Sequence, residues 1–151
     1  MESTKFTVWV INGPNLNLLG EREPEIYGRE TLLDVENKLS EIANKKQINL
    51  EFFQENEEGK LVTLIHEARI KAHGILLNPG AYSHYSLAIY DALKAVSIPK
   101  VEVHISQVVN REDIRKNLLT AGACNGLIAG FGIYGYSLGL NALVELIKGG
   151  L

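Results

Sequence analysis

The sequence predicts an α/β fold: a parallel sheet with helices on both faces. Three observations carry that expectation. Short, almost wholly apolar runs alternate along the chain with stretches of three- and four-residue apolar spacing. The runs lack the polar alternation of a sheet that faces water, so both faces are expected to be covered. Finally, 151 residues with 46% hydrophobic content suffice for one full-sized core, so 1–151 reads as a single domain.

Phe6–Ile11 is the first apolar run. Thr31 is placed to cap a helix carrying Leu32, Val35, Leu39 and Ile42. Ile48–Phe53 reads as the second strand, and Leu61, Leu64, Ile65 and Ala68 mark the inner stripe of a second helix. Gly74–Leu77 is a third strand, after which Ser83 can cap a helix carrying Leu87, Ala88, Ala92 and Leu93. Lys100–Ile105 is a fourth strand, followed by a weaker helix from Arg111 to about Ala121. Gly126–Ala129 is the fifth strand, and Leu138–Ile147 the closing helix. For five such units the commonest solution is strand order 2-1-3-4-5, a flavodoxin-like three-layer sandwich.

Composition removes several function classes. The net charge is −3 and the basic residues are scattered, which gives no field for nucleic acid. The one cysteine, Cys124, suits a reducing compartment. No apolar run approaches the ~18 residues of a membrane span. The start, Met-Glu-Ser-Thr-Lys, has no signal-peptide pattern, so a cytoplasmic protein is expected.

The stretch Ile11–Gly28 stands out, a connection of about 18 residues where about 4–6 are usual. With two Pro, an Arg and a Tyr, it reads as a binding loop or lid. Ligands of open parallel sheets bind beyond the carboxyl ends of the strands. Three segments bring polar residues to that rim: Asn12, Asn15, Arg22 and Tyr27 after strand 1; Asn78 to His84 after strand 3; and Glu102, His104, Ser106, Arg111 and Arg115 around the end of strand 4.

Plainer readings stand beside these. Asn12-Gly13-Pro14-Asn15 and Asn78-Pro79-Gly80 also read as ordinary turns, His84 as a solvated first-turn residue, and Tyr27 as lid packing. His104 is harder to dismiss, because an imidazole in an apolar strand end needs a partner and Glu102 shares its strand face. A phenol with a reference pKa near ~10 becomes a useful base only beside a cation. Arg22 or Arg115 is placed to supply one. A Tyr base and a His acid in one cleft suit removal of a proton next to a carbonyl, then loss of water.

Other motifs lead nowhere. Gly130-Phe131-Gly132-Ile133-Tyr134-Gly135 has dinucleotide-loop spacing, but that reading also needs a further strand bearing an acid. Close helix–strand packing is the expected use of these glycines. A phosphate-accepting receiver domain needs acids where Asn12 and Asn78 stand. The histidines at 66, 73, 84 and 104 lack zinc-ligand spacing, and no G-x-S-x-G elbow is present for a hydrolase nucleophile. Cys124 is expected in the core.

Taken together, I-N-G-P-N-L-N-L-L-G-x-R-E-P-x-I-Y-G, L-N-P-G-A-Y-S-H and V-E-V-H-I-S closely resemble the type II 3-dehydroquinase (3-dehydroquinate dehydratase) family, with the resemblance running over essentially the whole chain. It implies trans-dehydration of 3-dehydroquinate to 3-dehydroshikimate through an enolate, without metal or organic cofactor. It implies Tyr27 as the base, Arg22 holding it as phenolate, and Asn15 positioning a water at the enolate oxygen. His104 is implied as the acid, oriented by Glu102. Asn78, His84, Ile105, Ser106 and Arg115 are implied to hold substrate. Assembly into trimers and a dodecamer is also implied, with Asp91 reaching a neighbouring subunit's site.

Two departures stand out: Tyr90 where the family usually has Arg, and Lys116-Asn117-Leu118-Leu119-Thr120 where it often has a polar stretch with Ser. Both are expected to bear on assembly and to leave acid, base and lid untouched. The same reaction serves aromatic biosynthesis or quinate breakdown. The competing reading is a non-catalytic flavodoxin-like module that binds a small anionic metabolite or a flavin.

Overall fold

Strand parity sorts the apolar residues onto two faces. In the computed structural model, which describes residues 5–151, β1 (Thr7–Asn12), β2 (Asn49–Gln54), β3 (Gly74–Asn78), β4 (Lys100–His104) and β5 (Gly126–Ala129) form one parallel sheet. Its order is β2-β1-β3-β4-β5, as the sequence predicts. The helices are a single turn, α1 (Pro24–Tyr27), then α2 (Leu32–Lys46), α3 (Glu58–Lys71), α4 (Leu87–Ala95) and α5 (Tyr134–Lys148). Val8, Val10, Leu76, Val101 and Val103 pack with α2 and α5 residues on one face. Trp9, Ile11, Ile75 and Leu77 pack with those of α3 and α4 on the other.

Thr31 caps α2 as expected, through a reciprocal box: it accepts from the Asp34 N–H at 3.2 Å, and its own N–H donates to Asp34 Oδ2 at 2.9 Å. Cys124 packs on the α3/α4 face, and burial pushes its thiol up to about 12, which removes it as a nucleophile.

Four expectations need correction. Ser83 does not cap α4; Ser86 does, accepting from the Ile89 N–H at 3.0 Å, while Ser83 lies in a 3₁₀ turn and turns inward. No α-helix spans Arg111 to Ala121. Two 3₁₀ turns, Asp113–Lys116 and Thr120–Ala123, stand there, separated by extended backbone at Asn117. The stretch has too weak an apolar stripe to bury a helix face, and its polar residues bond back to the rim instead. Third, α5 begins at Tyr134, four residues before the expected start at Leu138. Fourth, of the three motif glycines only Gly135 packs helix on strand, where a Cβ would lie 3.5 Å from Val103 and 3.6 Å from Ile128. The closest such approach belongs to Gly139, where a Cβ would lie 2.8 Å from Leu76 and Val103 side-chain atoms. Gly130 and Gly132 instead occupy left-handed backbone, at φ 96° and 60°.

Candidate active site

The same parity that builds the core distributes the polar residues at the carboxyl edge. Asn12 and Asn78 end paired strands and, like Val10 and Leu76, face α5. There Tyr136, fully buried, donates its hydroxyl hydrogen to Asn12 Oδ1 at 2.6 Å and accepts from Asn78 Nδ2 at 2.9 Å. Asn78 Oδ1 accepts from the Gly80 N–H at 3.1 Å, so the Asn78 amide is held at both ends. Burial raises the Tyr136 hydroxyl well above its ordinary range, and it serves as a neutral bridge. Tyr136→Phe leaves two buried amides each short of one partner. We expect a loss of about 2–4 kcal/mol in stability with a rise in KM, read from urea midpoints and steady-state kinetics.

Glu102 and His104 take the opposite parity, toward α4. His104 Nε2 lies 2.7 Å from Glu102 Oε2, with both side chains buried. His84 stacks beside His104, ring centroids 6.3 Å apart. Its Nδ1 donates to the Asn117 carbonyl at 2.8 Å, and Asn117 Nδ2 donates to the His84 carbonyl at 3.1 Å.

Burial, aided by His104 and Arg115 and opposed by the Asn117 carbonyl, lowers the His84 imidazole below its ordinary 6.5. His84 is therefore neutral at pH 7, with the hydrogen on Nδ1 and an acceptor lone pair on Nε2. The sign for stability follows. Below 6.5 the unfolded chain takes up a proton that the folded His84 refuses, so the contribution is full above that pH and is lost as pH falls through the folded value. The urea midpoint of the native protein is expected to drop more steeply below this pH than that of His84→Gln. Parallel curves would disprove it.

The connection after β1 is more structured than a plain loop. It contains a 3₁₀ turn at Leu16–Leu18 and the α1 turn, whose last residue is Tyr27. Asn15 opens it in left-handed backbone at φ 68°, pinned by its N–H to Asn56 Oδ1 at 3.1 Å, and its side chain lines the cleft.

The sequence nominates Arg22 or Arg115 as the guanidinium at Tyr27; Arg22 does stand at the ring, and the geometry adds Arg111 at the hydroxyl. Arg111 Nη1 donates to the Tyr27 hydroxyl oxygen at 2.5 Å. Arg22 lies over the ring, 5.1 Å from its centroid, and Arg111 lies 5.2 Å from it. Arg115 is held by Glu112 instead, Nε to Oε2 at 2.6 Å. Arg111 stands at this rim in the sequence without an assigned role. The available signal was its position just beyond β4, facing a loop tyrosine far away in sequence.

These groups line one cavity of about 200 Å³, which Asn15, Arg22, Tyr27, Asn78, His84, His104, Ile105, Ser106, Arg111 and Arg115 share. Glu102 stands behind His104 and is fully buried. Asp91 stands apart, exposed on α4 and outside this lining.

The expectation that residues 116–120 leave the acid alone is also corrected. Asn117 fastens His84, and Thr120 Oγ1 donates to Glu102 Oε1 at 2.6 Å, so this stretch touches the supports of both histidines. Tyr90 packs beside Gly122 of its own chain.

Comparison with known proteins gives the family. The family model described as Dehydroquinase class II matches residues 6–144. A 3-dehydroquinate dehydratase of Carboxydothermus hydrogenoformans is 52% identical over 141 residues, covering 93% of this chain and 92% of that protein. One from Prochlorococcus marinus is 53% identical over 143 residues, covering 95% and 98%. The crystal structure of type II dehydroquinase from Butyrivibrio crossotus superposes with a TM-score of 0.91 at 46% identity, covering 93% of this chain and 98% of that one. With the matched span, the sequence identity and the superposed fold in agreement, the chain belongs to the class II dehydroquinase family.

Proposed function

We propose that this chain is a hydro-lyase that converts 3-dehydroquinate to 3-dehydroshikimate and water, in the biosynthetic direction of the shikimate pathway. The observation that carries the reading is one small cavity that holds both a phenol oxygen bonded to a guanidinium and an imidazole bonded to a buried carboxylate.

The chemistry follows from those two groups. A cationic donor on the Tyr27 oxygen stabilises negative charge there, which makes a phenolate available as base. It takes a proton from C2 of the substrate, and the C–H electron pair moves into an enolate on the C3 oxygen. Asn15, through a positioned water, stabilises that oxygen. The enolate then collapses, the pair forms the C1–C2 double bond, and the C1 hydroxyl leaves as water with a proton from His104. Tyr27 has gained one proton and His104 has lost one, so return of that proton through solvent resets the site.

Asn78, neutral His84, Ile105, Ser106 and Arg115 supply acceptors and donors for the ring hydroxyls and the carboxylate. The scheme calls on no metal or organic cofactor.

We further propose one catalytic domain over 1–151, cytoplasmic, assembled as trimers within a dodecamer. The single sheet supports the first. The exposure of Asp91, Tyr85 and Leu87 on and beside α4 supports a subunit contact there, with Asp91 reaching a neighbour's cleft. Among the described residues no helix is long and apolar enough to cross a membrane.

The test is a rise in conjugated-enone absorbance when the folded protein meets 3-dehydroquinate. No rise overturns the reading. Visible flavin absorbance on purification would favour a binding module instead.

A further inference from the structure

Glu102 has no exposed surface, and its ion-pair partner among the described residues is His104 alone. A carboxylate in such a place must find its donors within the protein, because water does not reach it. Three donors are present. His104 Nε2 and Ser83 Oγ both approach Oε2 at 2.7 Å, and Thr120 Oγ1 approaches Oε1 at 2.6 Å. The two hydroxyls lie 3.1 Å apart, so with the carboxylate they close a small ring. Ser83 comes from the turn after β3 and Thr120 from the turn after residue 117, and both are fully buried. Neither lines the cleft.

We infer that Thr120 and Ser83 are positioning residues that lock the Glu102 carboxylate, and through it fix which nitrogen of His104 faces the substrate. A carboxylate only accepts, so the hydrogen between Glu102 and His104 belongs to Nε2. Among the described residues His104 Nδ1 bonds no protein group, yet Trp9 Nε1 is the only sealed, partnerless side-chain polar atom there. Nδ1 therefore opens to the cleft that His104 lines. In the imidazolium form, with the Nε2 hydrogen held on Glu102, the second hydrogen sits on Nδ1 and is the proton that leaves with the hydroxyl. Without Thr120, Oε1 is left unpaired in a dry site. The carboxylate then turns to share Ser83, and Oε2 swings away from Nε2. The effect falls on proton delivery rather than on substrate contacts.

This inference rests on the acid role proposed for His104, so its test includes an arm independent of turnover. In ¹⁵N-histidine spectra of the native protein, neutral His104 is expected to carry its hydrogen on Nε2. Thr120→Val keeps the shape and removes the hydroxyl. It is expected to mix the two tautomers and to lower kcat about tenfold, with KM within about twofold. Thr120→Ser restores the hydroxyl and is expected to return both readouts to native values. Ser83→Ala is expected to act in the same direction as Thr120→Val, and it decides the matter with the native spectrum if the valine variant does not fold. An Nδ1–H tautomer in the native protein overturns the inference. So does an unchanged spectrum and kcat in Thr120→Val, or a Thr120→Ser as impaired as the valine. If the native protein does not dehydrate 3-dehydroquinate, the proposed function fails while the tautomer result is still read on its own.

Discussion

Tyr27→Phe is expected to lower kcat by about 10³-fold or more while substrate still binds with nearly native affinity. The substitution removes one oxygen, the one that accepts from Arg111 at the cleft. The ring remains, so the packing of Arg22 and Arg111 over it, at 5.1 and 5.2 Å, survives. Arg111 loses its acceptor but is not stranded. Ser106 Oγ lies 3.5 Å from Nη1, and the carboxylates of Glu23 and Glu112 lie 3.8 and 4.0 Å from Nη2. The contacts proposed for substrate, Asn78, His84, Ser106 and Arg115, do not depend on the phenol oxygen. A dissociation constant from calorimetry beside kcat from the enone assay separates the two effects. Turnover within tenfold of native would move the base elsewhere in the cavity.

The roles of individual strands were legible because parity and apolar content are local properties. Val8, Val10 and Trp9, Ile11 sort to opposite faces by their spacing alone, and the sheet order follows from five units of one kind. The rim residues were legible for the same reason, since strand ends point at one edge.

What the sequence did not show is which side chain meets which across that edge. Arg111 reaches Tyr27 over 84 positions, and Tyr136 reaches Asn12 over 124. Such contacts depend on loop paths, and no periodicity encodes a loop path. Residues 111–121 illustrate the point. Arg111 and Arg115 have helical spacing, yet the chain runs through 3₁₀ turns because Asn117 and Thr120 bond to the rim. A hydroxyl such as Ser83 offers the same sequence signal as a helix cap or as a donor to a buried carboxylate. Only the proximity of Glu102 decides between them.

The second large effect concerns the scaffold. Gly13→Ala is expected to cost about 3 kcal/mol or more in stability and to reduce kcat/KM together with it. A Cβ at Gly13 would lie 2.5 Å from the Pro79 carbonyl oxygen and 2.7 Å from its carbon, both backbone atoms that no rotamer change can move aside. The loop after β1 and the turn after β3 touch directly at this point. The Gly13 N–H donates to the Asn78 carbonyl at 2.8 Å, and Gln54 Nε2 donates to the Gly13 carbonyl at 3.1 Å. Pushing the two segments apart breaks that first bond and separates Asn15 from Asn78 and Gly80, residues that line the same cavity. Gly59→Ala is the control. No neighbour lies within 4 Å of its added Cβ, and it sits inside α3, so a gain of about 0.5–1 kcal/mol is expected there. A native urea midpoint for Gly13→Ala would show that the close approach carries no weight. A lowered midpoint with native kcat/KM would show that the two loops set the fold but not the cavity. Tyr27→Phe loses turnover at native stability, whereas Gly13→Ala is expected to lose both, and that contrast separates the chemistry of the cleft from the backbone contact that shapes it.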